Sequence, residues 1–356
     1  MNCLNSKHLL VQKTFLFFAI FLCMKLVCFA EEYRFDSWTT DDGLPQNTVN
    51  AVTQSSDGYL WVATFDELAR FDGVSFTVIN RGNTKWIKNN RFRGVYADDD
   101  NVVWAFTDTG VLTVYRHGVF ESFELPQALS ERIRNVYRNE DGRIIIETRE
   151  RVYSFEQNQL VPLSENEQFN PQDAYSNNLK SVWKSVTDGI SHLENGKVIV
   201  YPFENKKNSP LFASGPNRAF EDSSGTLWID NEGDLYHLRN GEVNIYKNDI
   251  SELNRNKIKI SNGQIIGDRN GNIWIVNRSE DNDKNEKTYL QKFDGEHFQA
   301  IETDKKLQSG FVDRAGNIWF GSLGQGLVRL RKRLITTISV KDGLPGEEVY
   351  PLIQIL

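Results

Sequence analysis

A chain of 356 residues with 48 acidic and 41 basic side chains carries a formal net charge of −7. That balance excludes nucleic acid as the main partner, because phosphate neutralisation needs clustered Lys and Arg. A hydrophobic fraction of 39% with 25% charged residues belongs to a folded protein and excludes a disordered one.

Residues 1–30 read as a cleaved signal peptide. Lys7, His8 and Lys13 form a basic start, an apolar run follows from Phe15 to Met24, and the small residues Cys28 and Ala30 fit a peptidase site. The alternative is a retained membrane anchor, but the apolar run is about half of the roughly 20 residues that span a bilayer, and Lys25 interrupts it. Removing Lys7, Lys13 and Lys25 with the segment takes the net charge from −7 to −10 and places the mature chain in the periplasm or outside the cell. All of Cys3, Cys23, Cys28, Met1 and Met24 leave with it. What remains holds no disulfide framework, thiolate metal site or Cys nucleophile.

From residue 31 to 340 the chain repeats about every 45 residues. Trp61, Trp104, Trp183, Trp228, Trp274 and Trp319 mark six copies, and the double-width gap after Trp104 holds a seventh with Ile145 in the Trp position. In six of the seven copies, all but that of Trp183, the residue three before is Gly58, Asn101, Gly142, Gly225, Gly271 or Gly316, residue types that tolerate the positive φ of a tight turn. Asp57, Asp98, Asp141, Asp222, Asp268 and Asp313 lie just upstream and are expected to close the turns by accepting backbone amides. The segments 68–73, 112–118, 190–196, 235–241 and 290–295 alternate apolar and polar residues and mostly end in a Gly turn, which predicts a hairpin into a last strand such as 76–79 or 197–201. Only the stretch around Pro126 to Arg134 reads as a short helical turn.

Seven units of four strands predict an all-β fold, a seven-bladed β-propeller of four-stranded antiparallel blades, with the six tryptophans filling the cores between blades. Two segments compete for the outer edge of the seventh blade, Tyr33–Trp38 and Leu334–Val340, and the N-terminal one is favoured. Residues 341–356 repeat the opening Asp42-Gly43-Leu44-Pro45 as Asp342-Gly343-Leu344-Pro345 and read as the start of an eighth repeat that is cut off.

No phosphate-binding loop, zinc-binding His-Glu-x-x-His or nucleophile elbow is present in the sequence. Gly321–Gly326 reads as a hairpin turn. His117, His192, His237 and His297 are separated by one or more repeats, so neither a metal site nor a cofactor is expected. Propeller ligands usually bind at the mouth of the channel, where loops from every blade converge on a rigid frame. Counting eleven residues back from each Trp position reaches the start of the innermost strand at Asn50, Arg93, Arg134, Gln172, Asn217, Gly263 and Gln308. Six of these are Asn, Gln or Arg, whose side chains present paired hydrogen bonds to hydroxyl or carboxylate groups. Asn50, Arg93, Arg134, Gln172, Asn217 and Gln308 are therefore the predicted binding ring, with Trp86 and Arg91 nearby. The alternative is a water-filled channel with no specific ligand.

The first copy, with Gly43-Leu44-Pro45, Asp57-Gly58-Tyr59-Leu60-Trp61 and Leu68-Ala69-Arg70-Phe71-Asp72-Gly73, resembles the repeats of two-component regulator propellers, the periplasmic sensor parts of bacterial signalling proteins. The resemblance extends over almost all of residues 33–356, with degenerate third and fourth copies. It implies an extracytoplasmic sensor that recognises an oligosaccharide or another small polar ligand. It also implies signalling through a membrane-bound partner or as a dimer, since no output module is expected in this chain. A propeller-type glycosidase or lyase, a protein-interaction scaffold and a non-signalling remnant are the alternative readings.

Overall fold

Short runs of alternating residues broken by glycine turns leave each strand little choice but to pair with the next. In the computed structural model they form seven antiparallel sheets of four strands. The residues described are 33–125, 132–139, 142–148, 151–163, 174–175, 183–186, 189–194, 197–202, 219–231, 234–248, 264–278 and 288–332. Residues 35–330 form one compact unit; the second unit comprises residues 1–34 and 331–356, described only at 33–34 and 331–332.

Blade 1 is typical, with strands Val49–Gln54, Leu60–Thr64, Leu68–Phe71 and Phe76–Ile79 paired in chain order. First strands touch first strands: Val49–Gln54 packs against Phe92–Ala97 of blade 2 and Leu307–Val312 of blade 7, and Phe92–Ala97 also against Ile133–Arg138 of blade 3. Contact of first strand with first strand places them around the centre, which is the propeller arrangement.

The second strands of blades 1, 2, 3 and 7 are buried throughout. Trp61, Trp104, Trp274 and Trp319 are each at most 3% exposed, and Trp228 is half-buried. A buried indole N–H needs an acceptor, and a side chain six residues upstream supplies one. Nε1 donates to Asp98 in Trp104 (3.1 Å), Asp222 in Trp228 (3.1 Å), Asp268 in Trp274 (2.9 Å) and Asp313 in Trp319 (2.8 Å). The other oxygen of the same carboxylate accepts two backbone amides of the turn, as Asp313 does from Ala315 and Asn317.

This corrects the expectation for Asp57. In blade 1 the indole of Trp61 donates to Ser55 (3.0 Å), and in blade 3 the turn amide of Arg143 donates to Asn139 (2.9 Å). Ser55, not Asp57, occupies the Asp98 position in blade 1, and Asn139 occupies it in blade 3, where Asp141 lies outside the described residues. Distance from the tryptophan, not from the glycine, sets the role.

The ring is closed by the N-terminal strand. Tyr33–Trp38 pairs outside Leu327–Lys332, completing a seventh sheet with Leu307–Val312 and Ile318–Ser322. Trp38 packs tilted against Trp319 (5.2 Å between ring centroids) and edge-on against Phe71 (5.4 Å). The Arg329 guanidinium lies over Trp38 and pairs with Asp36 at 2.9 Å. The Gly-Leu-Pro motif serves the same joint. Gly43 adopts φ +91° to end a 3-10 turn over Thr40–Asp42, and Leu44, 2% exposed, enters the core shared by blades 7 and 1.

That turn is the helical element among the described residues; the one expected near Pro126 is strand over Ile133–Arg138, and residues 126–131 lie outside them. The predicted signal peptide, Leu334–Val340 and the eighth-repeat start at 341–356 also lie outside the described residues. Trp183 is on a strand of the fourth sheet. No helix among the described residues is long and apolar enough to cross a membrane.

Candidate functional site

In a four-stranded antiparallel blade, the connections from strand 2 to 3 and from strand 4 to the next blade emerge at one end. The turns between strands 1 and 2 and between 3 and 4 emerge at the other. The first end is where the inner strands begin, and of the predicted ring residues Asn50, Arg93, Arg134 and Gln308 belong to it.

Asn50, Arg93, Arg134 and Gln308 share an unexpected feature. Each is the extra residue of a β-bulge: the ladder steps from Val49 to Ala51, from Phe92 to Gly94, from Ile133 to Asn135 and from Leu307 to Ser309 while the partner strand advances by one. A bulged residue is left out of the ladder, so its side chain is released from the packed face of the blade. The residue before each bulge is buried, and in blade 2 both neighbours, Phe92 and Gly94, are buried around the exposed Arg93.

The four then divide. Asn50 Nδ2 donates to the Phe92 carbonyl of blade 2 at 2.7 Å, and Gln308 Nε2 donates to the Val49 carbonyl of blade 1. Gln264 makes the corresponding link from blade 6, its Oε1 accepting the Gly310 amide of blade 7. These amides belt blades 6, 7, 1 and 2 together at the centre. Arginine replaces them at the next two positions. Arg93 and Arg134 are exposed, and their guanidinium groups have no hydrogen-bond or ion-pair partner among the described residues.

Two residues upstream of each bulge stands a further basic side chain in three blades: Arg91, Arg132 and Lys306. Arg91 is committed, with Nε 3.4 Å from the Asp108 carboxylate and its guanidinium 4.5 Å from the centroid of the Phe65 ring. Arg132 is exposed and without a side-chain partner among the described residues. Its signal in the sequence is its place one repeat after Arg91. Phe65 (42% exposed) and Trp86 (53% exposed) present aromatic faces on the connections at this end. Gln172 and Asn217 lie outside the described residues.

Nearby, burial and then the Glu147 carboxylate push the Tyr137 hydroxyl up, so it stays protonated and donates to Glu147 at 3.1 Å. Among the described residues no group of three or more His, Asp or Glu is placed to hold a metal ion. A cleft of about 670 Å³ opens at the opposite end of blades 5 to 7, lined in part by Asp222, Asp268 and Asp313. Those carboxylates are the turn acceptors described above. Burial opposes the charge on Asp222, yet bonds from Ser224, Trp228 and Thr226 hold its carboxyl below the usual range.

The family model of the two component regulator propeller matches residues 43–66. Among solved structures, the chain is similar to an extracellular domain assigned to the hybrid two-component system BT3049 of B. thetaiotaomicron, with 18% identity and a TM-score of 0.60 over 84% of this chain and 42% of that one. It is similar in the same way to the extracellular domain assigned to BT4673 of that organism, with 18% identity and a TM-score of 0.57 over 86% of this chain and 41% of that one. It is also similar to virginiamycin B lyase from Staphylococcus aureus, with 11% identity and a TM-score of 0.60 over 84% of this chain and 99% of that one. The chain spans about two fifths of the length of the two sensor domains. No curated protein matches it in sequence. At these identities the solved structures speak for the fold. The repeat that opens the ring is that of a two-component regulator propeller, and the chain carries it on a seven-bladed frame shared with extracellular domains of such systems.

Proposed function

We propose that the chain is the ligand-binding propeller of an extracytoplasmic sensor, which takes a polar ligand such as an oligosaccharide at the end where the inner strands begin. The observation that carries this reading is the recurrence of one bulge in blades 1, 2, 3 and 7, which turns a polar side chain out of the ladder at the same register and in blades 2 and 3 leaves Arg93 and Arg134 without a partner among the described residues. Bulges that re-aim side chains gather next to functional sites. The regulator-propeller repeat and the extracellular two-component neighbours support the sensor role and a place outside the cytoplasm. Occupancy would pass to a membrane-bound signalling partner or to a second copy of the chain.

The test is a calorimetric titration of the purified chain with a panel of neutral and acidic oligosaccharides. Saturable binding of at least one is expected; no binding across the panel contradicts the reading.

The likeness to virginiamycin B lyase favours a second reading, an enzyme on the same frame. A histidine-to-alanine form of that lyase is catalytically inactive. Here His117 and His297 sit at the turns between strands 3 and 4, away from the inner-strand starts, and His237 packs against Trp228 at 4.5 Å. Turnover of a glycan or a cyclic peptide that a single substitution abolishes would establish this reading over the first.

A further inference from the structure

The bulged arginines have a more specific meaning than polarity. At this register Asn50 and Gln308 are short neutral amides that reach the backbone carbonyl of the next blade. Arg93 stands where the next such link would run, from blade 2 to blade 3, and Arg134 where it would run from blade 3 onward. A guanidinium carries five donors, no acceptor and a permanent positive charge. Strands Phe92–Ala97 and Ile133–Arg138 pack against each other, so Arg93 and Arg134 occupy equivalent places on adjacent strands. Arg132 adds a third cation two residues away. Among the described residues these guanidinium groups satisfy no acceptor in the fold, so their donors are left for a ligand.

We infer that Arg93 and Arg134, with Arg132 beside them, form an oxyanion site that selects a ligand bearing a carboxylate or sulfate group. The planar fork of each guanidinium matches two oxygens of such a group. Phe65 and Trp86, each with a cation over one ring face (Arg91 and Lys85), are exposed aromatics at the same end for an attached ring. In a chain of net charge −7, guanidinium groups unpaired among the described residues give this end a positive charge that the fold does not neutralise. This inference rests on the ligand-binding reading above and adds the class of ligand.

The experiment titrates the full chain with trigalacturonate, with a sulfated disaccharide and with neutral maltotriose. The expected result is that at least one of the two anions binds about tenfold or more tightly than maltotriose, with affinity falling as salt is added. The two anionic arms show whether carboxylate or sulfate is preferred. Arg93→Ala with Arg134→Ala should weaken anion binding by about tenfold or more. Arg93→Lys with Arg134→Lys should fall between, keeping the charge and losing the fork. Arg314→Ala, at the opposite end, should bind as the parent does; thermal unfolding of each variant confirms that the fold is intact. Maltotriose binding as well as the anions, or a folded double alanine variant with undiminished anion affinity, overturns the inference and leaves the ligand-binding reading in place. No binding of any of the three overturns the inference, and the ligand-binding reading falls with it only if the wider panel is also silent.

Discussion

An indole N–H enclosed between two sheets has no water to bond, and the side chain six residues upstream is what makes its burial affordable. In Asp313 one carboxylate serves the Trp319 indole, the amides of Ala315 and Asn317 and the side-chain amide of Asn317. Asp313→Ala leaves these donors unsatisfied and is expected to cost about 2–3 kcal/mol in a urea titration. Asp57→Ala, at an exposed position outside this role, should cost about 0.5 kcal/mol or less. The turn glycines were legible because positive φ restricts residue type. The acceptor was not legible in blades 1 and 3, because Ser55 and Asn139 do the work of an aspartate while Asp57 and Asp141 stand closer to the glycine.

His237 makes a second prediction at this scale. Burial holds its imidazole below the ordinary value, and its buried Nδ1 has no partner. The folded protein therefore resists protonating it more than the unfolded chain does. Its contribution is full above the unfolded value of about 6.5 and is lost as pH falls below it. The urea midpoint should decline between about pH 7 and pH 5, and His237→Phe should flatten that decline.

At the scale of elements, counting back from the tryptophans reached the bulges in four blades because the path from inner-strand start to second strand keeps a constant length. The count did not show which bulged residues are spent on the fold. The carbonyl that holds Asn50 is 42 residues away, and the one that holds Gln308 is 259 away. No local pattern reports such partners. The arginines escape this use, so substituting them should not weaken the ring. Arg93→Ala with Arg134→Ala is expected to leave thermal stability within about 0.5 kcal/mol of the parent, since neither guanidinium bonds to the fold; a marked loss would show that they brace the blades instead.

The closing strand behaves oppositely. Trp38 joins an aromatic cluster with Trp319 and Phe71, and a Cβ at Gly326 would fall 2.0 Å from the Trp38 carbonyl oxygen. Trp38→Ala should cost about 3 kcal/mol. Gly326→Ala should be destabilising as well, because Gly326 also holds φ +85°. The sequence favoured the N-terminal of the two candidate edge strands only narrowly, since both occupy the same place in the repeat. In the structure the Asp36–Arg329 pair and the packing of Trp38 accompany the N-terminal strand.

For the whole molecule, the two ends of the ring have different work. One end carries the turns in which aspartates are consumed by indoles and amides, together with the cleft of blades 5 to 7. The other carries exposed guanidinium groups and aromatic faces. Seven blades were legible from period and turn chemistry because each unit buries its face only against the next. The division of labour between the ends was not, because it depends on which polar groups the fold has already satisfied. Hydrogen exchange with and without a bound acidic oligosaccharide tests this division most directly. Protection is expected at residues 90–95 and 132–137, where the arginine-bearing strands begin. Protection confined to the opposite end, at residues 222–226, 268–272 and 313–317, would contradict it.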